Sequence, residues 1–165
     1  MKLVKYQDED AKIITSWIKD EISLYKWSAD RIQKFPIEAK DLNECYKPLI
    51  ESANFIPLSF IDNDSIIGHL IIRYPENNNK EIVRFGFVII ASQLRGQGIG
   101  KQMLNLAIKY AKNNLNAKKI TLGVFSNNLS AKYCYESVGF KETGIIDKYP
   151  IKLGEWDCIE MELEL

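Results

Sequence analysis

The chain has 165 residues, 46% of them apolar, which suffices for one globular domain, residues 1–165, with its own core. Acids and bases number 22 each, and the opening MKLVKYQDEDAK has no secretory h-region and no apolar run long enough to cross a bilayer follows, so a soluble, cytoplasmic protein with no membrane partner is expected. Cys45, Cys134 and Cys158 lack CxxC spacing and His69 is the single histidine, which argues against a disulfide framework and a histidine-rich metal site; no metal is expected.

In chain order, Leu3 to Tyr6 reads as a short strand, and Asp8 is placed to cap a helix whose apolar residues Ile13, Ile14, Trp17 and Ile18 recur at helical spacing. A second helical stretch carries Ile37, Leu42, Tyr46 and Leu49, interrupted by Pro36 and Pro48, and its limits are not legible. From Phe55 the period falls to two: Ile56, Leu58 and Phe60 alternate, Asp62-Asn63-Asp64 turns the chain, and Ser65 to Tyr74 returns as an apolar strand. His69 lies in that strand and reads as a core histidine. A polar turn over Pro75 to Lys80, including Asn77 to Asn79, leads into Ile82 to Ile90, an apolar run suited to a strand buried on both faces.

Ile99, Met103, Ala107, Tyr110 and Ala111 then mark a helix, and Ile120, Leu122 and Val124 a strand. A short helix from Leu129 to Ser137 ends at Gly139, where a left-handed cap is expected. Phe140 to Ile146 is a strand candidate, and Ile159, Met161, Leu163 and Leu165 alternate with glutamates. That last strand could be a sheet edge that pairs with a second copy in a dimer, or one whose glutamates protect it.

The neutral total hides a segregation. Residues 1–81 hold 14 acids and 11 bases, residues 82–135 hold 8 bases and no acid, and residues 136–165 hold 8 acids and 3 bases. The acid-free block points to a polyanion site.

Within that block, Arg95-Gly96-Gln97-Gly98-Ile99-Gly100-Lys101 lies between a predicted strand and a predicted helix, where backbone N–H groups and the helix dipole hold phosphate. A P-loop requires a glycine where Arg95 stands and Ser or Thr where Gln102 stands. A dinucleotide fingerprint requires glycine at Lys101 and an acid about 20 residues on, and no acid occurs before Glu136. What remains is RxxGxG, Arg95 to Gly100, which resembles the pyrophosphate-binding signature of the GNAT acyltransferases. A second run, NNLSAKYCYESVGF, places Ala131, Tyr135, Gly139 and Phe140 three, seven, eleven and twelve residues after Asn128, as in the second signature of that superfamily. The resemblance extends from about Ile56 to Leu165.

The resemblance implies an α/β fold of the α+β type: a mixed, mostly antiparallel sheet of six or seven strands, flanked by about four helices and splayed between the fourth and fifth strands. It implies acetyl-CoA as cosubstrate, its pyrophosphate on the backbone of Arg95, Gly96, Gln97, Gly98, Ile99, Gly100 and Lys101. Its pantetheine would run along Val88, Ile89 and Ile90, with the Ile90 N–H polarising the thioester carbonyl. Tyr135 would protonate the leaving thiolate in direct, ternary-complex transfer of acetyl to a primary amine, or else be a core aromatic. Asn128 and Ala131 complete the cofactor set, with Asn128 either binding pantetheine or capping a helix. Cys134 invites an acyl-cysteine scheme, but lacks a nearby base.

Glu81 is the first candidate for general base, because it begins the strand leading to the thioester; a solvated strand-end carboxylate is the alternative, with Glu76 and His69 behind it. The acceptor would meet the N-terminal helices, the edge of the fourth strand and Asp147 to Gly154. Asp8, Glu9, Asp10, Asp20 and Glu21 suit a cationic small-molecule or peptide amine, or form a solvated face; Trp17, Trp27, Trp156 and Tyr25 form a substrate wall or core. A non-catalytic acyl-CoA sensor is the competing class, against which Tyr135 speaks. A nucleic-acid partner is not expected, given a pI of 6.6 and the confinement of positive charge around one loop.

Overall fold

A computed structural model of the chain describes residues 1–76 and 78–165. Asn77, in the expected turn, lies outside the described residues. The first half runs β1 (Lys2–Lys5), α1 (Asp10–Thr15), α2 (Glu21–Ser28), α3 (Ala39–Glu51), β2 (Phe55–Asp62) and β3 (Ser65–Arg73). The second runs β4 (Ile82–Ile90), a 3-10 turn (Ser92–Leu94), α4 (Ile99–Leu115), β5 (Lys119–Phe125), α5 (Leu129–Glu136), β6 (Lys141–Ile151) and β7 (Gly154–Glu164). The strands form one sheet in the order β1-β2-β3-β4-β5-β7-β6, and every neighbouring pair is antiparallel except β4 and β5.

Helices cover both faces. On one, Met103, Leu104, Ala107 and Ala111 of α4 and Tyr135 of α5 pack on Val83, Phe85, Ile120, Leu122 and Met161. On the other, Ile14, Leu24, Trp27, Leu42 and Tyr46 from α1 to α3 pack on Phe55, Ile71, Phe87 and Ile89. Burial on both faces explains the near-continuous apolar run of β4. At the β2–β3 hairpin Asn63 and Asp64 both take left-handed backbone, the geometry of a tight hairpin turn.

The N-terminal region corrects several expectations. Helix α1 stops at Thr15, so Trp17 and Ile18 are buried from the following turn, and Ile13 faces solvent. Asp8 does not cap α1: Glu9 stands at the N-cap with no side-chain capping bond, and the Asp10 carboxylate accepts from the Gln7 N–H at 3.0 Å. The legible break lies at residues 29–38. Pro48 does not interrupt α3: a capping box between Glu38 and Asp41 and burial of Leu42 and Tyr46 carry the helix through it. The last strand, β7, is not an edge, since β6 pairs on its outer side. Among the described residues, no helix is long and apolar enough to cross a membrane.

The feature that builds a site is a failure of pairing. Strand β4 meets β5 only at Ile82–Lys119, Val83–Ile120 and Arg84–Thr121; beyond Arg84 the two strands diverge and the sheet opens into a wedge.

Candidate active site

Gly86, Phe87 and Val88 of β4, Leu122, Gly123 and Val124 of β5, Lys26 and Trp27 of α2, and Asn128 and Tyr135 line the wedge. Its two walls are strand edges. Along β4 the outer edge is taken by β3, and along β5 by β7, so the inner edges from Phe85 and Leu122 onward have no strand partner. Unpaired edges present N–H and C=O groups at strand spacing, which suits an extended ligand that carries amides.

A bulge tunes this wall. Between His69–Ile89 and Ile71–Gly86, β3 advances two residues while β4 advances three, and Phe87 takes φ 50°. The extra residue reverses the alternation. Val83 and Phe85 face α4 and α5, whereas Phe87 and Ile89 face α1 to α3. Ala91 N–H bonds the Ile67 carbonyl, so alternation turns the polar groups of Ile90 into the wedge. The Ile90 carbonyl there accepts from Arg95 Nε at 3.1 Å, which ties the glycine loop to the end of β4.

The loop after β4 is open where an anion would sit. Gly96 (φ 75°) and Gly98 (φ 77°) are left-handed, and a Cβ on either would meet nothing within 4 Å. Gly98 occupies the N-cap of α4 with no side-chain cap, and the first turn of α4 holds no acid. The N–H groups of Ile99, Gly100 and Lys101 therefore lack the usual capping acceptor. Gly100 has a different function: its Cβ would stand 3.2 Å from Cys134 Sγ, so it lets α4 and α5 approach closely.

Tyr135 is buried, with its ring against Phe140, and lines the wedge; its hydroxyl has no hydrogen bond to a described residue. Burial holds its pKa above the ordinary tyrosine value, with Cys134 adding to the rise, so it stays a proton donor at neutral pH. Asn128 is the N-cap of α5 and lines the wedge; it makes no capping bond, and its side-chain carbonyl accepts from the Ser130 hydroxyl at 3.5 Å. Ala131 lies one turn on, packed against the core. The Cys134 thiol is pushed up by burial, with Lys101 opposing, which leaves it a poor nucleophile.

The structure does not bring the base candidates into the wedge. Glu81 stands at its closed end, exposed and ion-paired with Lys118 at 2.5 Å, seven residues and about 23 Å of strand from Val88. Glu76 is exposed in the turn before β4. His69 is fully buried beneath Tyr46, whose hydroxyl lies 2.8 Å from Nε2, and burial lowers its pKa to about 3. Three of the five acids expected to greet a cation hold structure instead. Asp10 bonds Ser59 at 2.6 Å, Asp20 caps α2 through the Ser23 N–H at 2.7 Å, and Glu21 pairs with Lys152 at 3.0 Å.

Sequence reasoning also missed the pair at the closed end. Arg84 and Glu160 form two hydrogen bonds of 2.6 Å over Gly123, where the wedge begins. Of the four expected wall aromatics only Trp27 lines the wedge; Trp156 packs on Phe125, Trp17 is core, and Tyr25 is buried with its hydroxyl on Glu21.

A family profile described as the acetyltransferase (GNAT) family matches residues 20–140. A spermine/spermidine N(1)-acetyltransferase of Bacillus subtilis is 27% identical over 107 residues, 62% of this chain and 70% of that protein. An L-amino acid N-acetyltransferase of Escherichia coli is 28% identical over 96 residues, 58% of this chain and 59% of that protein. In fold, the chain superposes on a Vibrio cholerae spermidine N-acetyltransferase solved with CoA and spermine: TM-score 0.80, 21% identity, covering 99% of this chain and 94% of that one.

Proposed function

The chain belongs to the GNAT family of acetyltransferases, and from that premise we propose that it moves an acetyl group from acetyl-CoA directly to a primary amine inside the wedge. The carrying observation is the wedge itself: two unpaired strand edges, an uncapped glycine loop at one end and a buried phenol on its wall. Acetyl-CoA supplies the activated thioester. The loop from Arg95 to Lys101 receives its pyrophosphate, helped by the acid-free charge of residues 82–135, and the β4 edge from Val88 to Ile90 pairs with the pantetheine amides. Asn128 adds a side-chain hydrogen bond.

The amine nitrogen attacks the thioester carbon, the Ile90 N–H steadies the oxygen as it gains charge, and the C–S bond breaks. Tyr135 gives its phenolic proton to the departing sulfur and later regains one from solvent. None of the residues lining the wedge is acidic, so the amine gives its own proton to water. Thiol release from acetyl-CoA, followed with a thiol reagent against polyamines, aminoglycosides, amino acids and peptides, tests this reading; release that requires an amine is expected, and its absence with every amine overturns it.

A further inference from the structure

The wedge uses only part of the segregated positive charge. Of the eight bases in residues 82–135, Arg84, Lys118, Lys119 and Lys132 are ion-paired with carboxylates, and Arg95 and Lys101 belong to the glycine loop. Lys109 and Lys112 make no ion pair with a described residue. Lys109 stands ten residues beyond Ile99, about 15 Å along α4 from that loop.

At that distal part of α4 a second cavity, of about 240 Å³, lies between the helix and β1. Its floor is apolar: Leu3, Leu106 and Tyr110 are half-buried and pack against the core on the α4 side of the sheet. Its rim is Lys2, Lys109, Asn113 and Asn114, all exposed. No carboxylate lines it, and neither wall has one to offer, since residues 1–5 and 82–135 contain no acid. Asp62, which follows the Lys2 partner Ile61 on β2, is taken by the Met1 amino group at 3.7 Å.

Beside this groove β1 is a free edge of the sheet. The Tyr6 N–H donates to the Pro57 carbonyl at 3.2 Å, so in the alternation of an antiparallel ladder Tyr6, Val4 and Lys2 turn their polar groups to β2. Leu3 and Lys5 turn theirs outward. Gln7 Nε2 covers the Lys5 carbonyl at 3.4 Å, which leaves the Leu3 N–H, the Leu3 carbonyl and the Lys5 N–H as the open edge. A strand laid there would place one set of side chains on Leu106 and Tyr110, with Lys109 at the margin, and the alternate set beside Lys2. Apolar residues suit the first set and acids the second. Two lysines over an apolar floor are a poor match for a nucleic-acid backbone, which calls for a longer cationic track.

We propose that the groove between β1 and α4 is a docking site for an extended, acidic segment of a partner protein, added to β1 as an edge strand. The site is remote from the wedge and independent of the acetyl-transfer reading.

The probes are labelled peptides of about eight residues that alternate Glu with Leu, Val or Phe. Controls are the same peptides with Lys for Glu, versions N-methylated on alternate backbone nitrogens, and a single-stranded oligonucleotide. Fluorescence anisotropy is read on the native chain, Lys109→Gln and Lys109→Glu, and amide hydrogen exchange on the native chain with and without peptide. The Glu peptides should bind and the Lys and N-methylated peptides should not. Kd should rise roughly tenfold in Lys109→Glu and less in Lys109→Gln. Exchange at the Leu3 and Lys5 amides should slow on binding, a response that charge attraction without strand pairing would not produce. Failure of every Glu peptide to bind, an unchanged Kd in Lys109→Glu, unchanged exchange at Leu3, or tighter binding of the oligonucleotide than of the peptides overturns the proposal.

Discussion

Arg84 Nη2 lies 2.8 Å from the point where a Cβ on Gly123 would stand, so the guanidinium of β4 occupies the space that any other residue on β5 would fill. Cys158 Sγ at 2.7 Å and Glu160 Oε1 at 3.0 Å close the same space. The wedge therefore begins where a side chain is missing and an ion pair fills the hole. Gly123→Ala is expected to force the Arg84–Glu160 pair apart and destabilise the fold by about 1–3 kcal/mol, as overpacking does. Denaturant unfolding checks it; stability equal to the native chain would show that the pair yields freely.

Asn128→Ala separates the two roles open to this residue. A side-chain cap is worth about 1 kcal/mol, but Asn128 makes no capping bond, so the loss of stability should fall below that figure. The KM for acetyl-CoA should instead rise roughly 3- to 10-fold, the worth of one hydrogen bond. Thermal melting and initial-rate kinetics on the same variant measure both.

The wedge predicts a simple pH profile. No acidic side chain lines it, so kcat/KM should climb with pH toward the pKa of the acceptor amine itself, and acceptors of different basicity should shift the limb accordingly. Tyr135, held above the ordinary phenol value by burial, stays protonated through this range and adds no descending limb below about pH 10. Rates across pH for two amines of different pKa provide the check; a limb fixed near a carboxylate value for both would point to a protein base.

His69 predicts an acid weakness in the fold. Its pKa is lowered to about 3 in the folded chain by burial, against about 6.5 in the unfolded one, so below pH 6.5 the unfolded state binds the extra proton. The stability contributed by neutral His69 is present above about pH 6.5 and is lost as pH falls toward 3. Unfolding free energy measured across that window should decline less steeply in His69→Gln than in the native chain.

Much of this site was legible because its chemistry is local in sequence. Gly96 and Gly98 needed left-handed backbone before a helix, and the resemblance to the family's second signature placed Asn128, Ala131 and Tyr135 at the start and along one short helix. The alternation of β7 was equally readable, but its position between β5 and β6 was not, since strand order depends on long-range pairing. The bulge at Phe87 was hidden because both faces of β4 are buried, and a strand apolar on both sides conceals a reversal of its alternation. Arg84 and Glu160 meet across 76 residues, so only the folded register reveals them. Glu81 misled for a geometric reason: it begins the right strand, at the end where that strand is still paired.

The most direct test of acetyl transfer within the wedge is amine-dependent thiol release from acetyl-CoA by the native chain and Tyr135→Phe, with acetyl-CoA binding measured on both. Tyr135→Phe is expected to bind acetyl-CoA as the native chain does while kcat falls by about 10²- to 10⁴-fold, the contribution of a positioned proton donor. A variant that turns over at the native rate would remove Tyr135 from the chemistry and leave the wedge without its proton donor.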